Sequence, residues 1–191
     1  MLFRSLAMVG PGGLTAQTIA ERSFIPISAN FVPIENVSAQ WRDYSETRQN
    51  MGAPADRDIW RVCRNILVTD SDSQAEDILS DPDGTFAYYY RYIRGVRQIE
   101  EFRDKQDEPI EALNKLLEVP QALDDCVIAG SASTVLDRLI EMTDTLGRFG
   151  TLVMVAHDWD DETLWKSSMR TLATDIMPSL SKHADQLPAL D

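Results

Sequence analysis

The chain has 191 residues, of which 43% are hydrophobic and 26% are charged, a balance typical of a folded globular protein. Acidic residues outnumber basic ones by 31 to 18, and the formal net charge of −13 disfavours nucleic acid as a partner. A complete (β/α)8 barrel typically needs about 250 residues, so the length excludes one.

Short apolar runs alternate with segments of helical period in the first half of the chain. Strands are predicted at residues 6–9, 24–27 and 60–69, and helices at residues 14–22, 36–51, 72–79 and 86–102. Strands that alternate with helices indicate βαβ units, so we expect a parallel sheet covered by helices.

The same alternation continues in the second half. Strands are predicted at residues 127–129 and 151–156, helices at residues 108–117, 131–146 and 162–177, and loops at residues 103–108 and 118–125. The strand at 151–156 is apolar throughout, which predicts burial on both faces. Pro178 is predicted to end the last helix, and residues 181–191 to form a flexible tail.

No apolar run approaches the roughly 20 residues that a membrane helix needs, so no membrane contact is predicted. The two cysteines, Cys63 and Cys126, lie far apart in separate apolar runs, which predicts buried free thiols and a cytoplasmic location.

A glycine-rich loop separates the first predicted strand from the first helix, with the sequence Gly10-Pro11-Gly12-Gly13-Leu14-Thr15. Glycines let a backbone approach a ligand closely, and the free N–H groups at a helix start attract an anion. The loop is neither a Walker loop nor a dinucleotide fingerprint, so a plain turn with a helix cap is the alternative interpretation.

Polar residues follow three other predicted strands, at the edge where ligands bind to parallel sheets. Ser28 and Asn30 end the second strand, and His157 follows the last one and is a candidate catalytic residue. The alternative for His157 is a loop histidine with a structural hydrogen bond. After the fourth strand, Ser131 is predicted to cap a helix in preference to binding phosphate.

Neither a metal site nor a hydrolytic triad is predicted. The acidic residues after His157 adjoin one another with no second histidine near, and helix capping explains them. The chain has only two histidines, and no Ser/His/Asp or Cys/His arrangement stands out.

The order and spacing of these segments resemble those of a known family. Residues 127–131, 149–152, 157–159 and 175–178 are similar to the C-terminal end of the bacterial luciferase-like flavin-dependent monooxygenases, in the limonene monooxygenase-like group. Residues 11–15 and 20–28 resemble the middle of the same barrel, so the likeness covers residues 6–180.

This resemblance implies the C-terminal half of a (β/α)8 TIM barrel. It also implies an FMN-dependent monooxygenase that inserts one oxygen atom of O2 into a hydrophobic organic substrate. A flavin reductase would supply the reduced FMN, and a homodimer is expected. Two alternatives stay open: a deazaflavin-dependent oxidoreductase on the same fold, and a non-catalytic flavin-binding or structural fragment.

The resemblance also implies roles for individual residues. Gly12, Gly13, Leu14 and Thr15 match the loop that holds the flavin phosphate, although the family often has serine where Gly13 stands. Ser28 and Asn30 match a strand end near the flavin ring, and residues 103–125 fall where the family carries a mobile lid.

Family members are much longer than this chain. Residues ahead of the matched region supply their first strands, most flavin-ring contacts and the catalytic histidine, so that role does not transfer to His157. We therefore predict one partial-barrel domain over residues 1–191, a fragment of a longer enzyme. Residues 1–5 are predicted to be non-native, because Leu2–Ser5 read like a translated sequencing adapter. A half barrel is also expected to expose its apolar inner face.

Overall fold

The computed structural model of the protein describes residues 4–98, 107–157 and 161–187. Its sheet has five strands, and every strand pair is parallel, as predicted. The strands are β1 (Ser5–Met8), β2 (Ile25–Ser28), β3 (Arg61–Val68), β4 (Val127–Gly130) and β5 (Thr151–Val155).

Helices connect the strands. In the part of the chain that the structure describes, they are α1 (Leu14–Glu21), α2 (Ile34–Asn50), α3 (Asp72–Ser80), α4 (Thr85–Arg97), α5 (Ile110–Leu116), α6 (Val119–Cys126), α7 (Ala132–Leu146), α8 (Glu162–Thr171) and α9 (Met177–Ala184). A single 3₁₀ turn at Arg57–Ile59 precedes β3, and a π-helical segment at Leu172–Ile176 joins α8 to α9.

Strand β3 lies at the centre of the sheet and pairs with three others. Asn65 pairs with β4 through Val127 and with β5 through Val155, so β4 and β5 lie on opposite sides of β3. Arg61, at the start of β3, pairs with both β2 and β5. Strands β2 and β4 therefore follow one another along the same side of β3, and β5 occupies the other side.

The crossover helices cover one face of the sheet. Helices α1, α2 and α7 each connect two parallel strands, and their apolar residues form the first core cluster with Val62, Ile66 and Val68 of β3. Trp41 of α2 stacks on Trp60, with ring centroids 4.8 Å apart, and fixes the position of that helix against the sheet. This face corresponds to the outside of a (β/α)8 barrel.

The opposite face, which corresponds to the inside of a barrel, is covered in part. The long connection from β3 to β4 contributes α3, α4 and α6, and with Trp165 of α8 these helices bury Leu67, Val127 and Ala129 in a second core cluster. The expectation of an exposed inner face is therefore wrong for Leu67, Val127 and Ala129, whereas Ile27, Cys63 and Val153 on the same face are half-exposed. The physical reason is that this connection carries its own amphipathic helices, and they bury the carboxyl end of β3 and its neighbour β4.

Two predicted elements differ from the structure. Residues 118–125, predicted as a loop, form α6, whose second residue is Pro120; proline fits the first turn because it needs no N–H donor there. Strand β5 is half-exposed, because it pairs with β3 alone and lies at an edge of the sheet. Predicted loop residues 103–106 lie outside the described residues.

The chain also continues in helical form past Pro178, which was predicted to end the helix. The π-helical segment inserts before the proline, so Pro178 falls in the first turn of α9, where its missing N–H breaks no hydrogen bond. Leu180 is buried in the first cluster and anchors α9. A flexible tail was predicted from residue 181, and the structure is helical as far as Ala184; residues 188–191 lie outside the described residues.

The turn before β5 is held tightly against the start of β3. The Gly150 amide donates hydrogen bonds to the carbonyls of Arg57 and Trp60, at 2.9 and 3.2 Å. The Arg57 guanidinium donates to the Leu146 carbonyl at 2.7 Å and lies over the Trp41 ring, 5.2 Å from its centroid. Helix α7, β3 and β5 therefore meet at one compact junction.

Both cysteines are free, as predicted, but only Cys126 is fully buried. Burial raises the pKa of the Cys126 thiol to about 11, so it stays protonated near neutral pH. Of the helices that the structure describes, none combines the length and the apolar character needed to cross a membrane.

Candidate functional site

The carboxyl ends of the five parallel strands share one edge of the sheet, where ligands bind in such folds. Residues 10–13 follow β1, Asn30 lies two residues beyond β2, Gly130 ends β4, and His157 lies two residues beyond β5. The parallel topology therefore places the candidate residues at or just beyond the carboxyl ends of their own strands.

The glycine loop after β1 is shaped by two positive backbone angles. Gly12 and Gly13 have φ values of 117° and 68°, which strongly favour glycine. The Gln40 side chain of α2 holds the loop from behind, donating to the carbonyls of Met8 at 3.2 Å and Gly10 at 2.5 Å. The loop is thus a fixed turn that presents the start of α1.

A carboxylate of the chain itself already occupies part of this loop. The Gly13 amide donates to Asp43 Oδ2 at 2.7 Å, and a Cβ on Gly12 would lie only 2.5 Å from the same oxygen. Leu14 and Thr15 are exposed and belong to the first turn of α1, whose N–H groups have no partner within the helix. The free N–H groups at the start of α1 are donors that a phosphate could use. Asp43 already accepts the hydrogen bond of the Gly13 amide, so it would compete with a phosphate for that donor.

Replacing Asp43 with asparagine is expected to strengthen the binding of a phosphate group at this loop about tenfold. The change removes one negative charge next to the anion while keeping an oxygen acceptor for the Gly13 amide. Titration of FMN against both proteins by fluorescence measures the effect. Glu46→Gln, one turn along α2 on an exposed residue, is the matched control and should leave the affinity unchanged. Equal affinities for Asp43→Asn and the parent would contradict the competition.

The loop after β4 has the same arrangement. Asp72 of α3 accepts a hydrogen bond from the Ser131 amide at 2.7 Å and another from the Thr134 hydroxyl at 3.0 Å. These donors, the Ser131 amide first, lower the pKa of the Asp72 carboxyl below its ordinary value. The Ser131 hydroxyl accepts from the Thr134 amide, so Ser131 caps α7 as predicted.

Ser28 lies on the helix-covered outer face. It is fully buried, and its hydroxyl accepts a hydrogen bond from the Trp60 indole N–H at 3.1 Å. The side chain thereby anchors the Trp41–Trp60 stack. A contact with the flavin ring stays a prediction for this residue.

The inner face carries a buried polar group that we call the asparagine cluster: Asn30, Asn65, Tyr89, Tyr90 and His157. Asn65 is its centre. The Asn65 Oδ1 atom accepts from Asn30 Nδ2 at 2.7 Å and from the Tyr90 hydroxyl at 3.0 Å. The Tyr89 hydroxyl accepts a hydrogen bond from Asn30 Nδ2 at 3.0 Å and so belongs to the same cluster.

The hydrogen bonds of Asn65 also define the state of His157. The Asn65 Nδ2 atom donates to the Val155 carbonyl at 3.1 Å, and because a carbonyl only accepts, this end of the side chain must be the amide nitrogen. The same nitrogen lies 2.8 Å from His157 Nε2. His157 Nε2 therefore accepts a hydrogen bond, and the proton of the neutral ring resides on Nδ1.

Aromatic rings enclose this histidine, which is only 2% exposed. The ring centroids of Tyr89, Phe86 and Trp165 lie 4.6, 5.5 and 6.0 Å from that of His157. Burial raises the pKa of both tyrosines, so they remain neutral phenols that donate hydrogen bonds. The cluster is thus a buried polar group inside an apolar, aromatic wall.

The structure brings together two of the predicted site residues, Asn30 and His157. It adds Asn65, Tyr89 and Tyr90, which sequence reasoning missed. An asparagine in the middle of an apolar strand was the available signal for Asn65, because a polar residue there needs buried partners. Among the residues that the structure describes, no group of three or more His, Cys, Asp and Glu side chains could hold a metal ion. Residues 158–160 lie outside the described chain.

A parallel sheet with crossover helices and ligand-type loops at its carboxyl edge defines the α/β class of enzymes and binding proteins. No family model matches the chain. It is 26% identical over 167 residues to 3,6-diketocamphane 1,6-monooxygenase of Pseudomonas putida, covering 84% of this chain and 42% of that protein. It is 23% identical over 156 residues to 4-hydroxyprotoasukamycin monooxygenase of Streptomyces nodosus subsp. asukaensis, covering 82% of this chain and 40% of that protein.

The fold is similar to that of a solved structure, the oxygenating constituent of 3,6-diketocamphane monooxygenase from Pseudomonas putida. That protein is a type II Baeyer–Villiger monooxygenase in complex with FMN. The TM-score is 0.68 at 21% sequence identity, over 91% of this chain and 48% of that chain.

These similarities confirm the predicted relationship to the luciferase-like flavin-dependent monooxygenases and the predicted partial (β/α)8 barrel. The chain spans less than half the length of the relatives it matches.

Proposed function

We propose that this chain is part of a flavin-dependent monooxygenase that uses reduced FMN and O2 to insert one oxygen atom into a hydrophobic organic substrate. The observation that carries the proposal is its similarity, over 84% of its length, to a 3,6-diketocamphane monooxygenase. The placement of the glycine loop and the asparagine cluster at one sheet edge supports it.

The proposed cofactor site is the start of α1. The amides of Gly13, Leu14 and Thr15 and the Thr15 hydroxyl are donors of the kind that hold phosphate groups. The Gly12 φ of 117° and the close approach of Asp43 leave no room for a side chain there. Bound FMN would supply the oxygen chemistry, while the protein binds, orients and excludes water.

The asparagine cluster is proposed as part of the substrate wall on the same edge. Tyr89 is half-buried and lies at its margin, with its hydroxyl on Asn30. Aromatic rings would contact an apolar substrate, and the neutral amides and phenols would orient one polar atom of it. We retain a flavin reductase, a homodimer and a cytoplasmic location as parts of the proposal; the two free cysteines agree with a reducing compartment.

Replacing Thr15 with valine is expected to weaken FMN binding about fivefold, the effect of losing one hydroxyl hydrogen bond of roughly 1 kcal/mol. The measurement is a titration of FMN against the chain by flavin fluorescence. Thr18→Val is the matched control, because Thr18 is an exposed threonine one turn further along α1. Unchanged affinity in Thr15→Val would remove Thr15 from the cofactor site.

Oxygen uptake distinguishes the proposed enzyme from its alternatives. In the longer enzyme of which this chain is proposed to be part, reduced FMN and an apolar ketone or alkene should yield an oxygenated product together with O2 uptake above that of reduced FMN alone. Reaction with reduced deazaflavin but not with reduced FMN would favour hydride transfer. Tight FMN binding without an oxygen-dependent product would favour a non-catalytic flavin-binding role.

A further inference from the structure

Helix α4 presents a row of large side chains to solvent. Tyr88, Tyr92 and Val96 follow one another at intervals of one turn and are 60%, 60% and 56% exposed. We call these three residues the α4 stripe. The other side of the helix is buried, because Phe86 and Tyr90 belong to the second core cluster. Contiguous exposed apolar residues mark interaction surfaces, and tyrosine is enriched in protein interfaces, so the α4 stripe is a candidate contact surface.

The charges at the two ends of the α4 stripe have opposite signs. Asp81 and Asp83 lie in the turn before α4, whereas Arg94 and Arg97 lie in its last turn. Within the described part of the chain, none of these four side chains forms an ion pair. This order of charges suits the helix dipole, and it also makes the surface of α4 complementary to an antiparallel copy of itself.

The apolar residues of α4 are complementary in the same antiparallel arrangement. A two-fold axis at the level of Tyr90 along the helix would place Tyr88 of one copy opposite Tyr92 of the other. Because a two-fold axis repeats each contact, the two tyrosine pairs would form the centre of the interface. The same register would place Val96 opposite Gly84, which has no side chain to hold the two helices apart.

The charged ends of α4 favour a second copy over other partners. In the register described above, Arg97 of each copy would lie opposite Asp83 of the other, and both side chains are exposed. A partner that was acidic throughout would attract Arg97 but repel Asp83, and a basic partner would do the reverse. An antiparallel copy of α4 matches both ends at once.

We propose that a second copy of this chain binds to the α4 stripe, with the two α4 helices antiparallel and related by a two-fold axis. The proposal rests on the proposed function only for the expectation of a homodimer, since its evidence comes from α4. The interface needs no flavin, so its test is independent of the cofactor site.

Sedimentation velocity of the whole chain over a series of concentrations, without flavin, tests the proposal. A single helix pair buries less than the roughly 1,600 Å² of a standard interface, so we expect a dimer with a Kd on the order of 10 μM. Tyr92→Ser should raise this Kd at least tenfold, because central aromatic residues dominate such interfaces. Met169→Ser, on an exposed methionine of α8, is the control and should leave the Kd unchanged. Monomers at every concentration would assign the stripe to a different protein and overturn the proposal, as would an unchanged Kd in Tyr92→Ser.

An exchange of charges tests the antiparallel arrangement. Asp83→Arg should weaken the dimer about fivefold, because two arginines would then face each other at both ends of the interface, and Arg97→Asp should have a similar effect. The combined variant Asp83→Arg with Arg97→Asp should return the Kd to within about twofold of the parent value, because opposite charges face each other again. Both side chains are exposed, and thermal unfolding by circular dichroism checks that the variants are folded. If the combined variant dimerised no better than the single variants, the antiparallel arrangement would be wrong.

Discussion

Replacing Asn65 with leucine is expected to lower the free energy of unfolding by about 4 kcal/mol, although leucine is more apolar and of similar size. Asn65 is fully buried, and both ends of its amide are used. The Asn65 Oδ1 atom accepts two hydrogen bonds, and Nδ2 donates to the Val155 carbonyl and contacts His157 Nε2. Leucine would leave these buried partners without hydrogen bonds, and the cost of their desolvation exceeds the gain in apolar burial.

Urea unfolding followed by tryptophan fluorescence measures this change, since Trp165 packs near the cluster. Asn50→Leu, at the exposed end of α2, is the control and should shift the unfolding free energy by less than about 0.5 kcal/mol. A loss below about 1 kcal/mol in Asn65→Leu would mean that water reaches the partners of Asn65, against the burial described above.

Replacing Gly150 with alanine is expected to lower the free energy of unfolding by about 3 kcal/mol or more. A Cβ at this position would lie 1.8 Å from the backbone carbonyl oxygen of Asp58, which has no flexible end to move aside. The added methyl group would push β5 away from the start of β3. It would also break the hydrogen bonds of the Gly150 amide with Arg57 and Trp60.

Gly10→Ala is the matched comparison for this substitution. Gly10 has no atom within 4 Å of an added Cβ and no positive φ, so its replacement should be nearly neutral. Thermal unfolding of both variants by circular dichroism gives the difference. If Gly150→Ala melted within about 1 °C of Gly10→Ala, the contact between the two backbones would not be as close as described.

Local sequence patterns were sufficient to predict most of the strands of the sheet. Each apolar run that was predicted as a strand overlaps one, and Ser131 caps its helix as expected, because period and capping depend on neighbouring residues. The glycine loop was likewise visible as a turn, since the positive φ of Gly12 and Gly13 is a local requirement.

What the sequence did not reveal depends on distant residues. Asp43 is 30 residues from the amide it contacts, and Asn65 is 92 from His157. Nothing in the spacing of these residues predicts such contacts. The edge position of β5 likewise follows from its pairing with β3, so its apolar run was interpreted as fully buried. Helix α6 was missed because Pro120 resembles a loop residue until its place in the first turn is known.

Helices pack on both faces of the sheet, so much of its apolar surface is buried within this chain. In a closed (β/α)8 barrel, the side chains of neighbouring strands fill the space that α4, α6 and Trp165 occupy here. Any polypeptide that extended this sheet would find Leu67, Val127 and Ala129 already buried, and could cover only the half-exposed remainder of that face, such as Ile27, Cys63 and Val153. Extension of the sheet would therefore add apolar burial mainly near the start of β3 and little at its carboxyl end.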